Sequence, residues 1–150
     1  MASFVTNKGK AHLLSSLRGV TQPTNYYVAL LTNDVPPTVD SNLISDVDEI
    51  AATNGYTTGG TSLTKNATDF DVFTEDDTNN YALLQIKDIA FTATGGPLPA
   101  SGSGARYAAL TDDDGTVADR EVYAIFDLGE DKALTDTEVL TIPDMEIRLT

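Results

Sequence analysis

The sequence predicts a mainly β protein: a single-domain antiparallel β-sandwich over residues 1–150, with a jelly roll as one form of it, and one short N-terminal helix. Short segments rich in aromatic and β-branched residues recur at hairpin-like spacing, and clusters of Gly, Pro, Asn and Asp separate them. Only one segment, near the N-terminus, has helical periodicity. A chain of 150 residues suits one domain, and we find no internal repeat.

Residues 1–20 are predicted to form an N-terminal arm followed by a helix. The helix is expected over 6–18, because a threonine and an asparagine that can cap it stand at its start and Gly19 stands where helices commonly end. Gly9 should weaken the first turn by up to about 1 kcal/mol relative to alanine. Three leucines fall on neighbouring turns and predict one apolar stripe: Leu13, Leu14 and Leu17.

The other elements are predicted from β-favouring composition and from the turns between them. The strands expected are 26–32, 56–64, 69–74, 81–94, 106–111, 121–128, 138–142 and 145–149. Gly59-Gly60 indicates an edge strand or a bulge, and 81–94 is long enough for two short strands or one strand bent near Lys87-Asp88. Residues 38–55 are predicted as a long acidic loop with one helical turn at 46–51, and loops of this length commonly contact a partner.

The hairpin of residues 105–129 carries the densest β signal, and we expect the other strands to pack around it. On its return strand, strict alternation places Tyr123 and Ile125 on one face. The opposite face should carry the remaining apolar side chains: Val122, Ala124, Phe126 and Leu128. Both faces are therefore mostly apolar, which is typical of a strand inside a sandwich or between a core and a partner.

The charge distribution excludes several classes of function. The formal net charge is -14, which argues against direct nucleic-acid binding because that needs a basic surface. Residues 1–33 nevertheless hold three basic residues and no carboxylate, so a basic head precedes an acidic body. With no cysteine, no apolar leader and no apolar run long enough to span a bilayer, we expect a protein made in a reducing cytoplasm that does not enter a membrane.

No catalytic or cofactor-binding residues are predicted. We expect the protein to be non-enzymatic and to have no cofactor. His12 is the sole histidine and has no nucleophile motif to serve. A glycosidase pair among Asp69, Asp71 and Asp88 is conceivable, but the chain has no tryptophan to form a sugar platform. Acidic turns such as 112–115 could hold calcium, yet none fits an EF-hand, so no metal ligand is assigned.

Taken together, these segments resemble a family of small virion structural proteins of tailed bacteriophages. The resemblance covers most of the chain and rests on the following stretches: Leu13-Leu14-Ser15-Ser16-Leu17, Val28 to Asn33, Asp48-Glu49-Ile50, Gly55-Tyr56, Ile89 to Gly96, Ala105 to Leu110, Asp127-Leu128-Gly129, Leu140 to Ile142 and Ile147 to Leu149. Members of this family are head decoration, head fibre or minor structural proteins. The resemblance implies a β-sandwich that often forms trimers.

The function implied is that of a non-enzymatic capsid decoration, or cement, protein. It would be made in the host bacterial cytoplasm, lie on the outer surface of the virion, bind the major capsid protein and stabilise the mature head. A tail or neck adaptor or fibre-base protein of the same virion remains the alternative. A second alternative is a β-sandwich module that binds carbohydrate.

Two sets of residues are predicted to make the contacts. The basic, partly apolar N-terminal segment is expected to contact the capsid, through Ala2, Ser3, Phe4, Val5, Lys8 and Lys10. Deleting 2–8 is expected to abolish capsid binding and leave the fold intact. The hairpin face is expected to form a homotrimer interface, through Tyr107, Tyr123 and Ile125.

Overall fold

The structure, a computed structural model, describes residues 1–150 and contains ten strands and one α-helix. In chain order these are β1 Ser3–Val5, α1 Asn7–Ser15, β2 Asn25–Leu31, β3 Thr61–Thr64, β4 Val72–Asp76, β5 Tyr81–Ile86, β6 Ile89–Thr92, β7 Ala105–Thr111, β8 Val122–Lys132, β9 Val139–Ile142 and β10 Met145–Leu149. Short 3-10 turns lie at Ser16–Arg18, Ile44–Asp46 and Val117–Asp119. None of the helices is both long and apolar enough to cross a membrane.

All strand pairs are antiparallel, and they form three sheets. The largest has the order β1-β8-β7-β2-β3, the second has the order β10-β5-β4, and the third pairs β6 with β9. One core of 17 buried residues draws side chains from all three sheets, so the five-stranded sheet packs on the two smaller ones. The predicted mainly β, antiparallel sandwich with one short helix is confirmed. The division into sheets of five, three and two strands differs from an eight-stranded jelly roll.

The chain changes sheet at the two breaks that the sequence marks. The segment 81–94 is two strands, β5 and β6, which separate at Lys87-Asp88 and lie in different sheets. Pro143-Asp144 separates β9 from β10 in the same way, and Asp144 takes a left-handed φ of 52°. Each break lets the chain continue as a short strand beside a new neighbour without a long loop.

A β-bulge at Tyr123 corrects the predicted alternation of β8. Leu110 is opposite Ala124 and Thr111 is opposite Val122, so Tyr123 is an extra residue on its strand. The bulge moves Val122 to the face of Ile125, while Tyr123 joins the side of Ala124. A strict period of two cannot anticipate this change, because the inserted residue reverses the faces on one side of it.

The second face of the five-stranded sheet is covered by the chain's own long loop. Ile44 is buried there with Ile125, and Val47 packs against the same cluster. Backbone hydrogen bonds hold the loop: Thr32 N donates to Asp48 O at 2.8 Å. The helical turn lies at 44–46, slightly before its predicted position. The acidic loop therefore has an internal role, since it closes the sheet from outside.

The edge strand β3 follows the glycine pair as predicted. Gly60 has a φ of 76°, and a Cβ atom there would lie 1.8 Å from the carbonyl oxygen of Val28. The backbone of β2 approaches so closely that only glycine fits. The next predicted strand, 69–74, instead starts at Val72, because Asp69 turns back to accept a hydrogen bond from Thr64 N and to pair with Lys87.

We expect Tyr56→Phe to destabilise the protein by about 1–3 kcal/mol, because it removes a hydrogen-bond partner from buried polar groups. The Tyr56 hydroxyl donates to Glu49 Oε1 at 2.5 Å and accepts from Leu30 N at 3.0 Å. Burial and the Glu49 carboxylate raise the pKa of Tyr56 far above its ordinary range. Urea unfolding measures the loss. Tyr27→Phe is the control, because that hydroxyl has no partner within the chain; equal effects of the two substitutions would contradict the prediction.

Candidate docking site

An apolar groove lies between α1 and the three-stranded sheet. Its volume is about 420 Å³, and 13 of its 17 lining residues are hydrophobic. Its walls come from α1, from seven strands and from the loop between β3 and β4, with Val5, Leu13, Phe73, Leu84 and Leu149 among the contributors. Such a groove combines strong hydrophobic driving force with few polar groups to fix orientation, which suits docking better than chemistry.

The helix that forms one wall is fixed to the bulged strand by its first turn. Thr6 caps α1, since its Oγ1 accepts from Gly9 N at 2.9 Å, and the same hydroxyl donates to Val122 O at 2.5 Å. Thr6 N donates to Tyr123 O at 3.0 Å. The predicted cap and the predicted end at Gly19, which has a φ of 70°, are confirmed. Gly9 is buried against β8. Glycine lowers the stability of the helix, but only a residue without a Cβ atom lets the helix pack this closely on the strand.

Aromatic rings form the floor of the groove beneath the helix. The His12 ring stacks on Tyr123 with centroids 4.0 Å apart, and His12 Nε2 lies 2.8 Å from the Tyr26 hydroxyl. Tyr26 makes an edge contact with Phe70. Below them, the Tyr123 hydroxyl donates to Glu121, which also pairs with Lys8 at 3.0 Å. Burial and this carboxylate raise the pKa of Tyr123, so the phenol stays protonated as a hydrogen-bond donor.

We expect the stability of the protein to decrease as the pH falls below about 6.5, and His12→Gln to reduce that dependence. Burial is the main cause that lowers the pKa of His12 from its ordinary 6.5, and Lys65 adds to it while Glu121 opposes it. The unfolded chain therefore binds the proton more readily. The contribution is fully present above pH 6.5 and is lost as the pH falls towards the folded pKa.

Urea unfolding at several pH values measures this slope. The carboxylates with lowered pKa values, such as Asp69 and Asp127, respond at lower pH and do not interfere. A wild-type slope equal to that of His12→Gln would contradict the assignment to His12.

Large apolar side chains around the groove face solvent. Phe73, which lines the groove, is 80% exposed, and Leu17, one helical turn beyond the lining residue Leu13, is 84% exposed. Leu14 and Leu149 are exposed as well. The three leucines do occupy neighbouring turns, but the stripe they form is largely uncovered within the chain. Surfaces of this kind mark interaction sites in soluble proteins.

One cation without a carboxylate partner, Lys65, lines the groove. Five of the nine Lys and Arg residues form ion pairs: Lys8, Lys87, Arg106, Lys132 and Arg148. Of the other four, Arg120 is buried under Tyr27, while Lys10 and Arg18 lie on the helical segment and Lys65 lines the groove. No carboxylate lines the groove, although the chain contains 23.

The predicted capsid-contact segment belongs to the sheet and to the groove wall. Phe4 and Val5 lie half-buried in β1, which pairs with β8, whereas Ala2, Ser3 and Lys10 are exposed. Lys8 is paired with Glu121. This corrects the expectation that deleting 2–8 leaves the fold intact, because the deletion removes an edge strand and the helix cap Thr6. Point substitutions are needed instead.

The residues predicted for a trimer interface do not share one exposed face. Ile125 is fully buried in the second core cluster, and Tyr123 is 5% exposed beneath the helix. Both are covered by the chain itself, which corrects their assignment to a partner. Only Tyr107 keeps partial exposure, and its hydroxyl donates to Asn33 at 2.8 Å.

The acidic turn 112–114 uses its carboxylates on backbone amides. Asp113 Oδ2 accepts from Thr24 N and Asn25 N at 3.0 Å, and Asp112 Oδ1 accepts from Glu121 N at 2.9 Å. These contacts are typical of turn capping. No group of three or more His, Cys, Asp or Glu side chains is arranged to hold a metal ion.

Sequence reasoning missed the groove and two of its members, Phe73 and Lys65. The signal available for Phe73 was its position directly after Val72, since neighbouring strand residues point to opposite faces and one of the two must leave the core. Nothing in the sequence singles out Lys65, which follows β3 and meets the helix only through the fold.

No protein-family model, no curated protein and no solved structure matches the chain.

Proposed function

We propose that this chain is a non-enzymatic virion structural protein, most specifically a capsid decoration protein that binds the major capsid protein on the outer surface of the head. The observation that carries the proposal is the uncovered apolar groove with its exposed leucines and Phe73. A surface of this kind supports a protein whose work is binding. The resemblance of the sequence to small phage structural proteins supplies the virion context.

Binding energy alone would perform the function. A subunit that binds only the assembled, mature shell stabilises that shell by mass action, by an amount that grows with the logarithm of its concentration over the dissociation constant. The rigid sandwich favours this role, since an ordered surface loses little conformational entropy when it docks. The acidic remainder of the chain would face solvent and keep the protein soluble before assembly.

In this proposal, the exposed residues of the N-terminal region contact the capsid and the half-buried residues support them. Lys10 and the exposed leucines of the helical segment would contact the capsid, together with the exposed end of β1 at Ala2 and Ser3. Half-buried Phe4 and Val5 would support that surface from inside the sheet. A homotrimer remains the proposed arrangement on the shell, with its contacts outside the buried positions Tyr123 and Ile125.

Immunogold labelling of purified particles from the virus that encodes the chain tests the proposal. We expect gold spread evenly over the heads. Gold confined to the neck or tail would transfer the protein to the adaptor or fibre-base class. Absence of label, with an antibody proven to bind the native protein, would overturn the virion assignment, and a glycan array would then test the carbohydrate-binding alternative.

A further inference from the structure

We infer that the groove binds an acidic amphipathic segment of a partner protein: large apolar side chains that enter the groove, with carboxylates beside them. Its attribution to the major capsid protein rests on the proposed function, whereas the chemistry of the segment rests on the groove alone. Three features of the molecule support it: the apolar lining, the extent of the exposed patch and the charge in the lining.

The lining selects apolar side chains. The groove has room for more than one large side chain, and its only ionisable lining groups besides tyrosines are His12 and Lys65. His12 is engaged with Tyr26 and Tyr123, and burial lowers its pKa, so it is neutral at physiological pH. An apolar side chain that enters therefore meets rings and aliphatic groups, which stabilise it by removing its surface from water.

The extent of the patch selects a macromolecule over a small ligand. Phe73 on the groove wall and Leu17, one helical turn beyond Leu13, are both more than three-quarters exposed. A ligand confined to the groove would leave these side chains in water. A protein segment covers groove and rim together, and a protruding aromatic residue is the usual energetic centre of such an interface.

The charges at the rim select acidic flanks. Lys65 lines the groove without an ion-pair partner, whereas Lys10 and Arg18 lie unpaired on the helical segment outside the lining. No carboxylate lines the groove to compete for them. The acidic turn 112–114 lies on the other side of His12, in a separate polar cleft that Lys8 also borders. Because charges farther than roughly 8 Å are screened at physiological salt, Lys65, the one charged side chain in the lining, favours a carboxylate beside it, while Glu121 and Asp113 are engaged with Lys8 and with backbone amides.

A second copy of this chain is a poorer occupant than a different protein. A second copy would bring its whole net charge of -14, whereas the proposed segment needs only a few carboxylates, so repulsion is greater between two copies. The proposal therefore commits to a different polypeptide, and self-association becomes an outcome of the test.

Selection from a random dodecapeptide library displayed on yeast tests the inference with the full chain. We expect the wild-type protein to enrich peptides that carry two or more large apolar residues next to Asp or Glu. Phe73→Ser should weaken the enriched peptides by about tenfold or more in fluorescence anisotropy. Val139→Ser is the matched control, since Val139 is 53% exposed on β9 and does not line the groove. It should bind like the wild type.

Charge reversal gives a second, independent readout. Lys65→Glu should turn the selection towards peptides with Lys or Arg beside the apolar residues, and its exposed position makes the fold indifferent to the change. An unchanged preference for acidic flanks would overturn the charge argument. No enrichment, or enrichment that Phe73→Ser does not reduce, would overturn the groove as a docking site.

Two further results would replace the occupant. Self-association in sedimentation velocity that Phe73→Ser abolishes would assign the groove to a second copy. A fluorescent fatty acid that binds tightly and displaces the selected peptides would assign it to an apolar small molecule. Failure of the decoration proposal can be distinguished from failure of this inference. If peptides are selected but no gold labels the heads, only the attribution to the capsid is wrong. If gold labels the heads equally with wild type and Phe73→Ser, the groove does not bind the capsid.

Discussion

Replacing Ile125 with aspartate is expected to unfold the protein at room temperature. Ile125 is fully buried between the five-stranded sheet and its covering loop, where Ile44 and Val122 surround it. An isolated carboxylate at such a site costs several kcal/mol, and its protonation to avoid the charge still leaves a polar group without partners. Domains of this size have only about 5–15 kcal/mol of stability, so the loss is comparable to the whole.

Circular dichroism and one-dimensional NMR of Ile125→Asp decide the point. Ile125→Val is the control, with an expected loss of about 0.5–1.5 kcal/mol and a native spectrum. If Ile125 instead lay at an interface between copies, the aspartate variant would be a folded, soluble monomer. That outcome would contradict the burial and restore the original assignment to a partner.

Gly9→Ala is expected to lower stability by about 2 kcal/mol, although alanine is the better helix former by up to about 1 kcal/mol. A Cβ atom at Gly9 would lie 2.0 Å from the carbonyl oxygen of Tyr123, which is backbone and cannot turn away. The helix must therefore lift from β8, and the hydrogen bonds that Thr6 makes to that strand lengthen. The groove changes shape with it.

Thermal unfolding measures the effect, and a loss of about 2 kcal/mol corresponds to a lowering of the melting temperature by roughly 5 °C in a chain of this length. Gly115→Ala is the matched control, since no atom lies within 4 Å of a Cβ at Gly115. It should be close to neutral. A gain in stability for Gly9→Ala would mean that helix propensity outweighs packing and that α1 is not seated on Tyr123.

The local features of the sequence predicted the fold class and most of the elements. Several of these features depend on only a few neighbouring residues: the cap at Thr6, the end at Gly19, the edge strand after Gly59-Gly60 and the breaks at Lys87-Asp88 and Pro143-Asp144. Such features survive in any tertiary context, because they arise from the backbone preferences of Gly and Pro and from short-range hydrogen bonds. The prediction that a strand starts at Asp69 was wrong, because the distant residue Lys87 pairs with Asp69 and holds it in a turn.

The candidate site was less predictable, because its parts meet only through long-range contacts. The apolar stripe of the helix was visible in the sequence, and so was the basic character of residues 1–33. Whether that stripe is buried, and what lies opposite it, depends on β5 and β10, which are far away along the chain. The contact residues predicted for the arm proved to be divided between sheet and surface.

The sequence by itself determined that this is an acidic, antiparallel β protein with one capped N-terminal helix, since composition and local turn chemistry suffice for that. Only the tertiary structure decided which apolar faces are covered. The loop that carries Ile44 buries Ile125, and the bulge turns Tyr123 beneath the helix. Phe73 and Leu17 are left in solvent. The physical reason is that burial requires two surfaces that pack against each other. An apolar residue is able to be buried, but only the element packed against it determines whether it is.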